Sequence, residues 1–145
     1  MRAVLELAKR HGAGTVTAAS IAEAQRVPIR FLENILGQLR QAGMVESVRG
    51  KEGGYRLGRH PRELSVGEVI RLIQGPLATV DCYATDGATG SSEGRECSLR
   101  NGCVLLPMWK RAQEAMMSVY DETSFADLVE QERAARGSEV LDYAI

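Results

Sequence analysis

The stretch Val48-Arg49-Gly50-Lys51-Glu52-Gly53-Gly54-Tyr55-Arg56-Leu57 constrains the fold more than any other. Three glycines in five residues let a chain reverse sharply and come close to another backbone. A short strand, Met44 to Val48, leads in, and Tyr55-Arg56-Leu57 leads out, so the segment reads as a two-stranded hairpin. Its tip carries Arg49 and Lys51, two cations on a narrow support.

What precedes the hairpin gives it meaning. Ile29, Leu32, Leu36 and Leu39 recur at spacings of three and four, with Ile35 beside them, which predicts a helix to about Ala42. Pro28 suits its first position and Gly43 its left-handed C-terminal cap. Upstream, Thr17 caps a shorter helix bearing Ile21, Ala22 and Ala24, and Arg26-Val27 forms the turn between the two. Residues 3–10 read as the end of a helix, stopped by His11-Gly12-Ala13-Gly14. Two helices joined by a tight turn and followed at once by a basic hairpin predict a winged helix-turn-helix. The fold class is therefore mainly α with a small β-hairpin wing, plus a long helix further on.

Charge supports a polyanion partner for the first half. Residues 1–65 hold 11 Lys and Arg against 6 Asp and Glu, whereas residues 66–145 hold 7 against 13. The near-neutral total of -1 hides that division. A helix that reads DNA offers polar side chains to base edges in the major groove. Arg30, Glu33, Asn34 and Gln38 face outward on the third helix, and Phe31 can meet a thymine methyl. A merely solvated helix face would also be polar; the adjoining wing favours DNA. Arg49 and Lys51 suit a narrow minor groove or phosphates, with Gly53, Gly54 and Tyr55 shaping the hairpin. Thr17 can cap its helix or donate to phosphate, as can Thr15.

The rest of the chain carries two further signals. Ser65-Val66-Gly67-Glu68 is a capping box opening a helix with Val69, Ile70, Leu72 and Ile73 inward, ended by Gly75-Pro76. A longer helix is expected over residues 102–121, with Pro107 in its first turn. Leu105, Trp109, Ala112, Met116 and Val119 form a heptad-like seam along it, suited to a second copy of the chain. Residues 123–136 read as one more short helix and a fading tail. The chain thus divides into a DNA-binding domain at 1–80, a cysteine-containing segment at 81–101, and a dimerisation helix with its tail at 102–145.

Cys82, Cys97 and Cys103 bracket a segment at 83–96 rich in Gly, Ser, Thr and acid, which reads as an irregular loop. An odd count argues against a disulfide framework. Thiolates suit both zinc and iron–sulfur clusters, and spacing alone leaves the two open, beside the bland reading of three small apolar residues. Cys103 is expected at a helix start, where the dipole favours thiolate. No apolar run approaches the roughly 18 residues that cross a membrane, and the charged opening Met1-Arg2 does not suit a secretory signal, so a cytoplasmic location is expected. No nucleophile–base or paired-carboxylate arrangement is apparent, which argues against an enzyme. A protein-interaction adaptor is the other use of such a fold.

Three runs carry a family resemblance: Phe31-Leu32-Glu33-Asn34-Ile35-Leu36, then Leu39-Arg40-Gln41-Ala42-Gly43-Met44-Val45, then Val48 to Leu57. They resemble the Rrf-two family of bacterial transcriptional regulators. The likeness continues through Gly75-Pro76-Leu77-Ala78-Thr79-Val80-Asp81-Cys82 to about Val129. It implies a homodimeric repressor or activator that binds double-stranded DNA, with base-reading and wing roles on Glu33 and Arg49. It also implies an iron–sulfur cluster (2Fe–2S or 4Fe–4S) on Cys82, Cys97 and Cys103 that senses redox, nitric oxide or iron status. The alternative within the family is a cluster-free regulator of cysteine or thiol metabolism. Where some members place a histidine three residues after the third cysteine, this chain has Leu106; Glu6, Asp81 and Glu96 are the remaining candidates for a fourth ligand. By that resemblance the sequence starts late, without the family's usual opening strand and first turn.

Overall fold

The computed structural model describes residues 1–50, 53–75, 77 and 102–141, with side chains to residue 136. Among these, six helices and one hairpin follow in order: α1 (Arg2–Lys9), α2 (Ala18–Gln25), α3 (Ile29–Gln41), β1 (Val45–Val48), β2 (Gly54–Leu57), α4 (Val66–Gln74), α5 (Leu106–Glu122) and α6 (Phe125–Leu141). The expected 83–96 loop lies outside the described residues.

Local chemistry explains most boundaries. Thr17 caps α2 by accepting from the Ser20 N–H at 3.1 Å. Arg26 then takes a left-handed conformation, φ 51°, turning the chain toward α3. Pro28 is the N-cap of α3, one place earlier than the sequence suggests, and its extended backbone sets the entry angle. At the other end Gly43, φ 70°, allows paired closing bonds: Met44 N–H to Leu39 C=O and Gly43 N–H to Arg40 C=O, both 3.0 Å. This is a Schellman stop, which satisfies carbonyls that helix ends leave unpaired. The capping box at Ser65 and Glu68 is present in both directions.

Leu32, Leu36 and Leu39 of α3 are buried against Val4 and Leu7 of α1, Ile21 of α2, Val45, Leu57 and Val69. Each such side chain taken from water contributes about 1.5–3 kcal/mol. α4 departs from expectation on one face: Val66, Gly67 and Val69 are buried, Ile70 and Leu72 are half-buried, and Ile73 is exposed. The reason is that α5 crosses α4 near its start. A Cβ on Gly67 would collide with the Asp121 carboxylate, and Asp121 is held by Arg71 at 2.7 Å.

The last described element, α6, is a helix of 17 residues where the sequence suggests a short one. A second capping box starts it: Ser124 N–H donates to Asp127 Oδ2 at 2.9 Å, and Asp127 N–H returns to Ser124 Oγ at 3.2 Å. Val66 N–H to Thr123 C=O (2.9 Å) and Phe125 N–H to Leu64 C=O (3.0 Å) zip the start of α6 to the start of α4. Phe125 and Val129 thereby enter the same core as α1. Lys9 completes the docking, with its ammonium 2.6 Å from Glu6 on its own helix and 3.1 Å from Glu132 on α6.

Candidate nucleic-acid interface

α3 turns its apolar side inward, so what remains outside is fixed by helical geometry. Arg30, Phe31, Glu33, Asn34 and Gln38 are all exposed, as the sequence predicts. Arg30, Glu33, Asn34 and Gln38 make no hydrogen bond or ion pair among the described residues, so nothing within the described chain holds them. Phe31 keeps 60% of its surface in contact with solvent despite being aromatic. Pro28 is exposed at the head of the helix and Thr17 at the head of α2. Thr17 Oγ1 is engaged by the Ser20 N–H and hydroxyl, so its capping role is met in the free chain.

The wing is β1 paired antiparallel with β2, Val45 opposite Leu57 and Val48 opposite Gly54. Gly53 N–H donates to Gly50 C=O at 2.9 Å, closing the tip. The glycines there are steric necessities. A Cβ on Gly53 would lie 2.7 Å from the Gly50 and Val48 carbonyl oxygens, and one on Gly54 would lie 2.7 Å from Val16 O. Arg49 is exposed at the tip. Lys51 lies outside the described residues.

Two connections hold wing and helices in one frame. Val16 and Tyr55 exchange both backbone bonds at 2.8 Å, so β2 is tied to the residue just before Thr17 and α2. Arg40 Nη1 of α3 reaches Ser47 Oγ of β1 at 3.4 Å. Tyr55 is half-buried against the core, which makes it a strut of the wing. Sequence reasoning missed Val16 and Arg40 in these roles. A lone bridge residue shows no periodicity, and Arg40 reads simply as a cation near a helix end. Arg56, a further cation of the wing, is held by Glu46 directly across the ladder, at 2.8–2.9 Å. Its charge is therefore offset within the sheet.

The cysteine constellation is only partly placed. Cys103 is a free, half-buried thiol. It precedes α5 instead of sitting in its first turn, and its carbonyl accepts from Leu106 N–H at 3.3 Å. Cys82 and Cys97 lie outside the described residues, as do Asp81 and Glu96. The thiol chemistry of Cys103 and its position just ahead of α5 fit a ligand of a metal cluster. Among the described residues no three His, Cys, Asp or Glu side chains come together at metal-binding distance. Glu6 is committed elsewhere: it is buried, accepts from Gln25 Nε2 at 2.6 Å and pairs with Lys9.

A basic hairpin braced against the second of two turn-linked helices defines a class, the winged helix-turn-helix regulators of transcription. The comparisons with known proteins narrow it. The family described as "Rrf2: Iron-dependent Transcriptional regulator" matches residues 1–131. The HTH-type transcriptional regulator CymR of Bacillus subtilis is 34% identical over 125 residues, covering 86% of this chain and 80% of CymR. IscR of Aliivibrio salmonicida is 32% identical over 127 residues, covering 88% and 70%. Among solved structures, T. potens IscR superposes with a TM-score of 0.72 at 31% identity, covering 92% of this chain and 82% of that one. CymR (YrzC), described as the global cysteine regulator of B. subtilis, follows at 0.69 and 31%, covering 88% of each. The chain belongs to the Rrf2 family and is a transcriptional regulator, not an enzyme. Among the described residues no helix is long and apolar enough to cross a membrane.

Proposed function

We propose that the chain acts in the cytoplasm as a homodimer that reads a two-part DNA site, with residues 1–80 as the DNA-binding domain. α3 enters the major groove, where Arg30, Glu33, Asn34 and Gln38 face base edges and Phe31 meets a thymine methyl. Arg49 and Lys51 on the wing reach the neighbouring minor groove or its phosphates. The observation that carries this reading is the unpaired polar face of α3 beside a wing braced to the head of α2 by the Val16–Tyr55 bridge. Dimerisation runs through α5, whose 17 residues include none that is buried in the single chain.

Residues 81–101 and Cys103 form the sensor, with Cys82, Cys97 and Cys103 as thiolate ligands of an iron–sulfur cluster. When bound, such a cluster supplies chemistry responsive to redox state, nitric oxide or iron supply. The chain's own part is positional: Cys103 sits just ahead of α5, so a change in what holds it bears on the dimer helix first. Similarity to a cysteine regulator favours a second reading, in which the cysteines answer to thiol status without metal.

Both readings are testable on purified protein. Binding to a duplex selected from a random pool should weaken steeply as salt rises and fail for the Arg30→Ala and Arg49→Ala variants. Tight binding by both variants would sink the assignment of these surfaces. Protein prepared without oxygen should show visible absorption together with iron and sulfide, and lose them in Cys103→Ser. A colourless, iron-free preparation that still binds DNA supports the thiol reading instead.

A further inference from the structure

One residue of α3 is not accounted for by the stability of the free chain. Gly37 lies well inside a 13-residue helix, where glycine is a poorer choice than alanine. Its backbone does not take the left-handed conformation that would call for glycine. A Cβ built on it meets no atom within 4 Å among the described residues, whereas one on Gly53, Gly54, Gly58 or Gly67 meets backbone or side-chain atoms at once. Neither conformation nor crowding among the described residues explains the missing side chain.

Its position points outside the chain. Gly37 is four residues after Glu33 and three before Arg40, so the three share one flank of the helix. Arg40 bonds Ser47 of β1, so that flank looks toward the wing. Gly37 also adjoins the outward row of Arg30, Asn34 and Gln41, all exposed. It therefore lies on the side of α3 that faces the hairpin. A duplex with α3 in its major groove and the wing in the adjacent minor groove must pass one sugar–phosphate strand between them, because a strand separates the two grooves.

We propose that the space between α3 and the hairpin seats that strand and that Gly37 is its point of closest approach to α3. The absent Cβ lets the helix backbone come nearer to the DNA than any other residue permits. The inference rests on the reading of α3 and the wing as the DNA surface.

The test compares wild type with Gly37→Ala, Gly37→Leu and Arg30→Ala. The measurements are thermal melting and anisotropy titration of a labelled duplex that the wild-type protein selects from a randomised pool. Both Gly37 variants should melt at or above the wild-type temperature, since alanine and leucine are good helix formers. Binding should weaken roughly tenfold for alanine and further for leucine, the size order expected of overpacking. Weakened binding with unimpaired melting upholds the proposal whatever the Arg30 variant does. Wild-type binding by both Gly37 variants, with Arg30→Ala weakened, overturns the proposal and leaves the DNA surface standing. Wild-type binding by all three overturns the surface as well. Melting below wild type would mean the glycine serves the fold, and the proposal falls.

Discussion

At the residue scale, the interface separates side chains that are free from side chains already engaged. Glu33 is exposed and bonded to nothing described, so its truncation leaves the fold alone. Glu33→Ala should preserve the melting temperature and relax base preference at one position, read from selected-site sequencing; each such contact contributes about 1–3 kcal/mol of discrimination. Unchanged preference would remove Glu33 from the reading set. Gly54 is the opposite case. A Cβ there would press on the Val16 carbonyl at 2.7 Å, where the wing is tied to α2. Gly54→Ala should cost about 1–3 kcal/mol in urea unfolding. A fully stable variant would show that the bridge can relax. Sequence alone identified Gly54 as a turn residue, which is a smaller role than the one it has.

At the element scale, α1 and α6 are joined by charge. Glu132 of α6 is held below the ordinary glutamate range, first by its hydrogen bond from Lys9, with burial opposing and the Lys9 and Arg136 charges adding. Glu68 is lowered too: burial pushes it up, but the Ser65 N–H and Arg59 outweigh that. A carboxylate whose folded pKa is depressed stabilises the fold above its unfolded value and loses that contribution as pH falls through the folded one. Melting temperature should therefore drop as pH falls below about 4.5, the ordinary glutamate value. Lys9→Met should lower stability near neutral pH and flatten that acid limb. An unchanged acid limb would show that the α1–α6 tie carries no linkage. A helix beginning near residue 123 was legible in the sequence, but neither its Ser124–Asp127 capping box nor its docking partner was, Lys9 and Glu132 being 123 residues apart.

At the scale of the whole molecule, α5 is the unfinished surface. Val119 is 61% exposed and Leu105 54%, on the seam that also carries half-buried Trp109 and Met116. Val119→Glu should leave the single chain folded, because it introduces a charge where water already reaches. In the proposed dimer it would bury two charges against an apolar face, which is costly. Sedimentation should show a monomer with native helix content and much reduced affinity for a two-part DNA site. A dimer of unchanged affinity would move the interface elsewhere.

The sequence by itself determined the local pieces. Leucine spacing set α3 and its buried stripe, Thr17 and Ser65 set helix starts, Gly43 set a helix stop, and the glycines set the wing. Each depends on neighbours within a turn or two, so a single sequence suffices to read it. The tertiary structure alone decided which pieces meet. It brought α6 back onto α1, tied Val16 to Tyr55, offset Arg56 with Glu46, exposed Ile73 and enclosed Glu6. Most of these depend on residues well separated along the chain, and periodicity carries no information about them. The polar face of α3 was visible from helical geometry. That Gly37 lies on the flank facing the wing became visible only once Arg40 showed which flank that is.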